Sequence, residues 1–106
     1  MITREIVEEF FITNINIGDS NFSQKQIWGF YFLDVGKTNL RKLASYLSGK
    51  GYRIVDIFEA EMEDDKSPQE YYLHVEIQEY HSIDSLNDRN KEFYRLVKQF
   101  NIDNYD

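Results

Sequence analysis

A chain of 106 residues with no cysteine and a formal net charge of -7 reads as one domain, residues 1–106, long enough to bury a core without cross-links. Disulfides and thiolate metal sites are excluded, the negative charge opposes the counterion release on which nucleic-acid binding depends, and no apolar run of roughly 18 residues is present to span a membrane. The N-terminus, Met1-Ile2-Thr3-Arg4-Glu5 with Glu8 and Glu9 behind it, lacks the basic region and unbroken apolar stretch of a signal peptide, so a cytoplasmic protein is expected.

In chain order, Thr3 to Phe11 is predicted to be a helix: Thr3 can cap it, and Ile6, Val7, Phe10 and Phe11 form one apolar stripe. Thr13 to Ile17 alternates like a short strand, and Gly18-Asp19-Ser20-Asn21 signals a turn. Ile27-Trp28-Gly29-Phe30-Tyr31-Phe32-Leu33 is apolar or aromatic almost throughout and predicts the first firm strand. Leu40, Leu43, Ala44 and Leu47 then recur at helical spacing, with Asp34 or Thr38 as the expected cap and Gly49 and Gly51 at the end, where a left-handed residue stops a helix. Tyr52 to Met62 is the second strand, with Tyr52, Ile54, Phe58, Ala60 and Met62 on one face and Glu59, Glu61 and Glu63 on the other. A polar loop around Pro68 leads to a third strand, Glu70–Tyr80, in which Tyr71, Leu73, Val75 and Ile77 alternate with Tyr72, His74, Glu76, Gln78 and Tyr80. The short loop makes these two strands an antiparallel hairpin. Ser82 or Asp84 opens a last helix buried through Leu86, Asn90, Phe93, Leu96, Val97 and Phe100.

The order β-α-β-β-α predicts an α+β, ferredoxin-like two-layer sandwich: an antiparallel sheet with two helices on one face, an N-terminal helix in addition, and a last strand short or missing. The third strand should lie between the first two. If the last strand is missing, one edge of Ile27–Leu33 has no partner within the chain, and the expected remedies are the Thr13–Ile17 segment, the N-terminal helix or a second copy forming a homodimer.

Motifs that carry chemistry are sparse. Gly36-Lys37-Thr38 imitates the end of a phosphate-binding loop, but Tyr31 stands where the motif needs its first glycine. His74, Glu76, Glu79 and His81 offer imidazoles and carboxylates without a spacing that fixes a third metal ligand, so no metal and no cofactor is expected. No nucleophile–base pattern is visible, which argues against an enzyme. Charge is segregated instead. Between Ile54 and Asp88 eleven acids face Lys66 alone, and Glu59, Glu61, Glu63, Asp64 and Asp65 at the hairpin make an expected docking surface for a basic protein partner. Trp28, Phe30, Phe32 and Tyr72 are a candidate interface: on an acidic chain an aromatic sheet face suits protein contact better than stacking on RNA bases.

Several features in sequence order resemble one family. A polar Gly-Asp lead is followed by an aromatic strand ending Phe30-Tyr31-Phe32-Leu33-Asp34. Leu47-Ser48-Gly49-Lys50-Gly51-Tyr52 runs into an acidic strand, and Phe100-Asn101-Ile102 precedes Asn104-Tyr105-Asp106. Over about Gly18 to Asp106 this is similar to the regulator of ribonuclease activity B family of small acidic bacterial proteins. The last three residues resemble the start of that family's Tyr-Asp-Gly-Trp signature, which opens its last strand. The resemblance implies a non-catalytic regulatory adaptor that binds a protein, the endoribonuclease that initiates RNA decay, with no catalytic residues to carry over. The alternatives from other classes are a small-molecule-sensing module on a ferredoxin-like dimer and a small enzyme.

Overall fold

The computed structural model describes residues 2–16, 25–61 and 66–105. Helix α1 (Arg4–Asn16) is followed by β1 (Gln26–Asp34), α2 (Lys37–Ser48), β2 (Arg53–Glu59), β3 (Tyr71–Glu79), α3 (Ile83–Gln99) and the two-residue β4 (Asn104–Tyr105). The four strands form one sheet in the order β2-β3-β1-β4, with every neighbouring pair antiparallel. The third long strand therefore lies between the first two, as expected from the order of elements.

The helical stripes read from the sequence face the core. Leu40, Leu43, Ala44 and Leu47 of α2 and Leu86, Asn90, Phe93, Leu96 and Val97 of α3 are buried. They meet Phe30 and Phe32 of β1 and Leu73 and Val75 of β3, so α2 and α3 lie on the same side of the sheet. Ser82 caps α3 in a reciprocal box with Ser85, which satisfies two otherwise orphaned backbone donors. At the far end Asn101 adopts φ 56 and the Ile102 N–H donates to the Val97 carbonyl at 2.9 Å, turning the chain back into β4.

Four expectations are corrected. Residues 13–16, read as the start of a strand, continue α1; once a helix is nucleated, extending it by a turn is easier than starting a separate strand. Ile17 and the turn Gly18–Asn21 lie outside the described residues. Neither Asp34 nor Thr38 caps α2. Gly36 is the cap, in extended conformation and without a side-chain bond, because Asp34 is held in the ladder opposite Tyr71. The left-handed residue after α2 is Gly51 at φ 95, whereas Gly49 stays helical at φ -67.

The fourth correction bears on function. The register of β2 on β3 shifts between Ile54 and Asp56, and such a bulge inverts the facing of every later residue. Ile54 and Ile57 pair with the buried Val75 and Leu73, while Asp56 and Phe58 pair with His74 and Tyr72. Phe58 thus leaves the face predicted for it and joins the opposite one; Glu59, opposite Tyr71, changes sides with it. Along the other edge of the sheet, β4 pairs Tyr105 with Phe32 and Asn104 with Leu33, so it covers part of the β1 edge that a second copy was expected to use.

Candidate functional site

The sheet face turned away from α2 and α3 is organised in rows across three strands. Leu33, Tyr72 and Phe58 make the row nearest the hairpin loop, Tyr31, His74 and Asp56 the next, and Gly29, Glu76 and Arg53 the third. Tyr31 and Phe58 are 38% and 39% exposed, and Ile27 beyond them 68%, far above the core. The rings fix one another. Tyr31 stacks on the His74 imidazole with centroids 4.4 Å apart and planes 14° apart. Phe58 stacks on Tyr72 at 5.6 Å, and Tyr31 meets Tyr72 edge-on at 6.2 Å. Gly29 makes room for this arrangement: a Cβ there would stand 3.1 Å from His74 Nε2. Glu76 accepts from Arg53 at 3.0 Å.

At the hairpin end of this face is a hollow of about 350 Å³ whose lining includes Leu33, Tyr72, Ala60, Glu61, Pro68 and Glu70. Its rim is tied down. The Ala60 N–H donates to the Glu70 carbonyl at 2.9 Å, and Gln69 Nε2 donates to the carbonyls of Ala60 and Glu70 at 3.1 and 2.8 Å. The hollow brings Tyr72 together with Glu61 and Glu70, residue types suited to a cation with a flat or apolar stem.

Of the acidic residues predicted for docking, Glu59 and Glu61 are exposed at this end of the hairpin, and Glu63, Asp64 and Asp65 lie outside the described residues. Of the aromatic group, only Tyr72 lies on the open face. Phe30 and Phe32 are 4% and 0% exposed, and Trp28 packs against the core, because β1 pairs them with the inward Val75, Leu73 and Ile77. They hold the sheet against the helices, and Tyr31, Phe58 and His74 take the surface places assigned to them.

A second cluster, which sequence reasoning did not assemble, joins the end of β3 to α3. Glu79 accepts from Arg89 Nη2 through Oε1 at 3.0 Å, pairs with its Nη1 through Oε2 at 2.8 Å, and lies in close contact with His81 Nε2. Arg89 also donates to the Tyr52 hydroxyl, and Trp28 Nε1 donates to the Glu79 carbonyl at 3.1 Å. His81 Nδ1 stands 3.0 Å from Ser85 Oγ. Burial holds the His81 pKa below its ordinary value, against the opposing pull of Glu79. Burial likewise pushes the Tyr52 phenol up to about 12, with Arg89 pulling the other way. The line Ser85, His81, Glu79 has the composition of a nucleophilic relay. The Ser85 hydroxyl, however, accepts from the Ser82 N–H at 2.8 Å and donates to the Ser82 carbonyl at 3.3 Å. It is committed to the helix cap, and the cluster reads as a lock between sheet and helix. The signal in the sequence is the four-residue spacing of Ser85 and Arg89 on one face of α3, with His81 just ahead of the cap.

The cluster takes Glu79 and His81 to the helix side of the molecule, whereas His74 and Glu76 stay on the open face with Nε2 3.8 Å from the carboxylate. Among the described residues no three histidines or acids converge as metal ligands, and no helix is long and apolar enough to cross a membrane.

A family model described as regulator of ribonuclease activity B matches residues 5–106. No curated protein and no solved structure matches the chain.

Proposed function

The chain belongs to the regulator of ribonuclease activity B family, and from that premise we propose that it is a non-catalytic adaptor that binds a ribonuclease as a protein partner and alters its activity. The exposed Glu59 and Glu61, continued in the sequence by Glu63, Asp64 and Asp65, dock against a basic surface of that partner. The observation that carries this reading is the open sheet face ending at an acidic hairpin, on a chain of net charge -7. Such a surface attracts a cationic protein and repels RNA. The placement of β3 between β1 and β2 supports a ferredoxin-like platform for it, and a cytoplasmic location suits the work of a ribonuclease regulator.

The test is capture from a cell extract with the tagged full chain, followed by assay of any captured ribonuclease with and without added protein. The expected partner is a ribonuclease whose rate changes in a dose-dependent way. Its association should slow as salt rises, because screening shortens the reach of exposed charges to ~8 Å near physiological ionic strength. Glu59→Lys with Glu61→Lys should lower the association rate more than it raises dissociation. Unchanged kinetics in that double variant overturn the docking surface, and an unaffected ribonuclease overturns the regulatory role.

A further inference from the structure

The hollow at the base of the hairpin is more specific than a field of negative charge. We infer that it receives an arginine side chain of the partner, with the aromatic rows of the open sheet face as the bed for the chain segment that carries it. The inference rests on the adaptor reading and adds the recognition chemistry.

Three observations lead to arginine. First, among the described residues the lining includes Glu61 and Glu70 and no base, so the site complements a cation. Second, the lining includes Tyr72, whose ring is held by its stack on Phe58 and its edge contact with Tyr31. A guanidinium lies flat on such a ring while its N–H fork reaches carboxylates at the side. A lysine ammonium, compact and strongly hydrated, cannot do both. Third, the chain already uses this chemistry within itself. The Arg89 guanidinium stands 5.5 Å from the Tyr52 ring centroid and 5.9 Å from that of Phe93, while it donates to Glu79 at 3.0 Å. The hollow offers the same two residue types, a tyrosine and acids, without an arginine among its described lining residues.

An RNA segment could stack on the same rings, but its phosphates would then run past Asp56, Glu61 and Glu70, all within the same rows or their continuation. The like-charge approach opposes that mode. Arginine in an extended protein segment meets no such opposition: its backbone is neutral and its side chain completes the site.

The experiment titrates the full chain, isotopically labelled, with a short Gly/Ser peptide carrying arginines, with its lysine counterpart, and with an oligouridylate of similar length. The arginine peptide should bind about fivefold or more tightly than the lysine peptide, the margin expected of a stacked guanidinium. Its largest shifts should fall on Tyr72, Glu70 and Glu61. Glu61→Gln with Glu70→Gln should weaken arginine-peptide binding about tenfold, whereas Glu5→Gln with Glu9→Gln, an equal charge loss on exposed positions of α1, should change it less than about twofold. Tyr72→Leu should abolish the preference for arginine over lysine. Should that variant unfold, the carboxylate pair alone decides. Equal affinity for the two peptides, equal losses in the two double variants, tighter binding of the oligouridylate, or shifts that grow with protein concentration alone, as a second copy seated in the hollow would give, each overturn the assignment. If the peptides fail to discriminate while a ribonuclease is still captured from extract, the hollow is wrongly assigned and the adaptor stands. If the peptides discriminate and no ribonuclease is captured, the hollow stands and the partner class falls.

Discussion

Removing one hydroxyl at the end of the chain tests how the short last strand is held. Tyr105 is 2% exposed, pairs with Phe32 in the ladder, and sits among Phe32, Phe93 and Tyr94 with ring centroids 5.0–5.2 Å away. Its hydroxyl donates to Oδ1 of the buried Asn90 at 2.5 Å. Tyr105→Phe keeps the ring and deletes that donor, leaving a buried carbonyl oxygen without it, at a cost of about 1–3 kcal/mol. Tyr105→Ala removes the ring as well and should reach ~3–5 kcal/mol, a large share of the ~5–15 kcal/mol that a domain of this kind has in total. The two costs differ in kind, so a cycle separates them. Asn90→Leu alone strands the tyrosine hydroxyl, but with Tyr105→Phe both polar partners are gone, and part of the loss should return as a coupling of about 1 kcal/mol. Urea unfolding followed by Trp28 fluorescence measures all four proteins, with the slope against urea expected to stay constant. A Tyr105→Phe midpoint equal to that of the unaltered chain refutes the reasoning, since it means that β4 is held by nothing this hydroxyl contributes.

The other predictions concern the core and the buried cluster. Leu43, fully buried on α2, should lose about 2–5 kcal/mol on replacement by alanine, whereas the exposed Lys42→Ala should cost under about 0.5 kcal/mol; similar denaturant midpoints for the two would show the helix to be rotated. With the His81 pKa depressed by burial, the unfolded chain binds a proton that the folded one resists. Stability should therefore hold above the ordinary value of 6.5 and fall as pH drops below it, a slope that His81→Gln should flatten in unfolding curves taken from about pH 7 to pH 5. Tyr52 gives the opposite slope at the alkaline end. Its phenol keeps its proton when folded, so stability should fall as pH climbs from 10 to about 12, and Tyr52→Phe should lack that loss when phenolate absorbance and unfolding are read together.

Periodicity made most of the scaffold legible. The stripe Leu40, Leu43, Ala44, Leu47 and the alternation of Tyr71, Leu73, Val75 and Ile77 each face the core as read, because a helix or strand with one apolar face has only one stable orientation against a sheet. What could not be read was whatever depends on a neighbour. The aromatic run of β1 is apolar on both faces, so its own sequence does not say whether Phe30 and Phe32 or Tyr31 points inward; the register against β3 decides it. The lock of Glu79, His81, Arg89 and Tyr52 is drawn from β3, α3 and the segments that precede β2 and α3, and no local pattern brings Tyr52 to Arg89.

The bulge in β2 shows why this matters for the open face. Counted by strict alternation, Phe58 belongs with Ile54 in the core, and the outer face carries acids where the ring stands. One extra residue at Val55 reverses that count. Phe58 then stacks on Tyr72, and the end of the face beside the hairpin changes from a charged strand to aromatic rings flanked by carboxylates. A bulge locally forfeits ladder pairing, and here it also leaves a large ring partly in water. The core gains Ile57 by the exchange, which offsets part of that loss but does not require the exposed side chain to be aromatic. Holding a phenylalanine there gives Tyr72 a stacked neighbour, so a small polar replacement at this position should free the Tyr72 ring as well as lose the buried part of the Phe58 side chain.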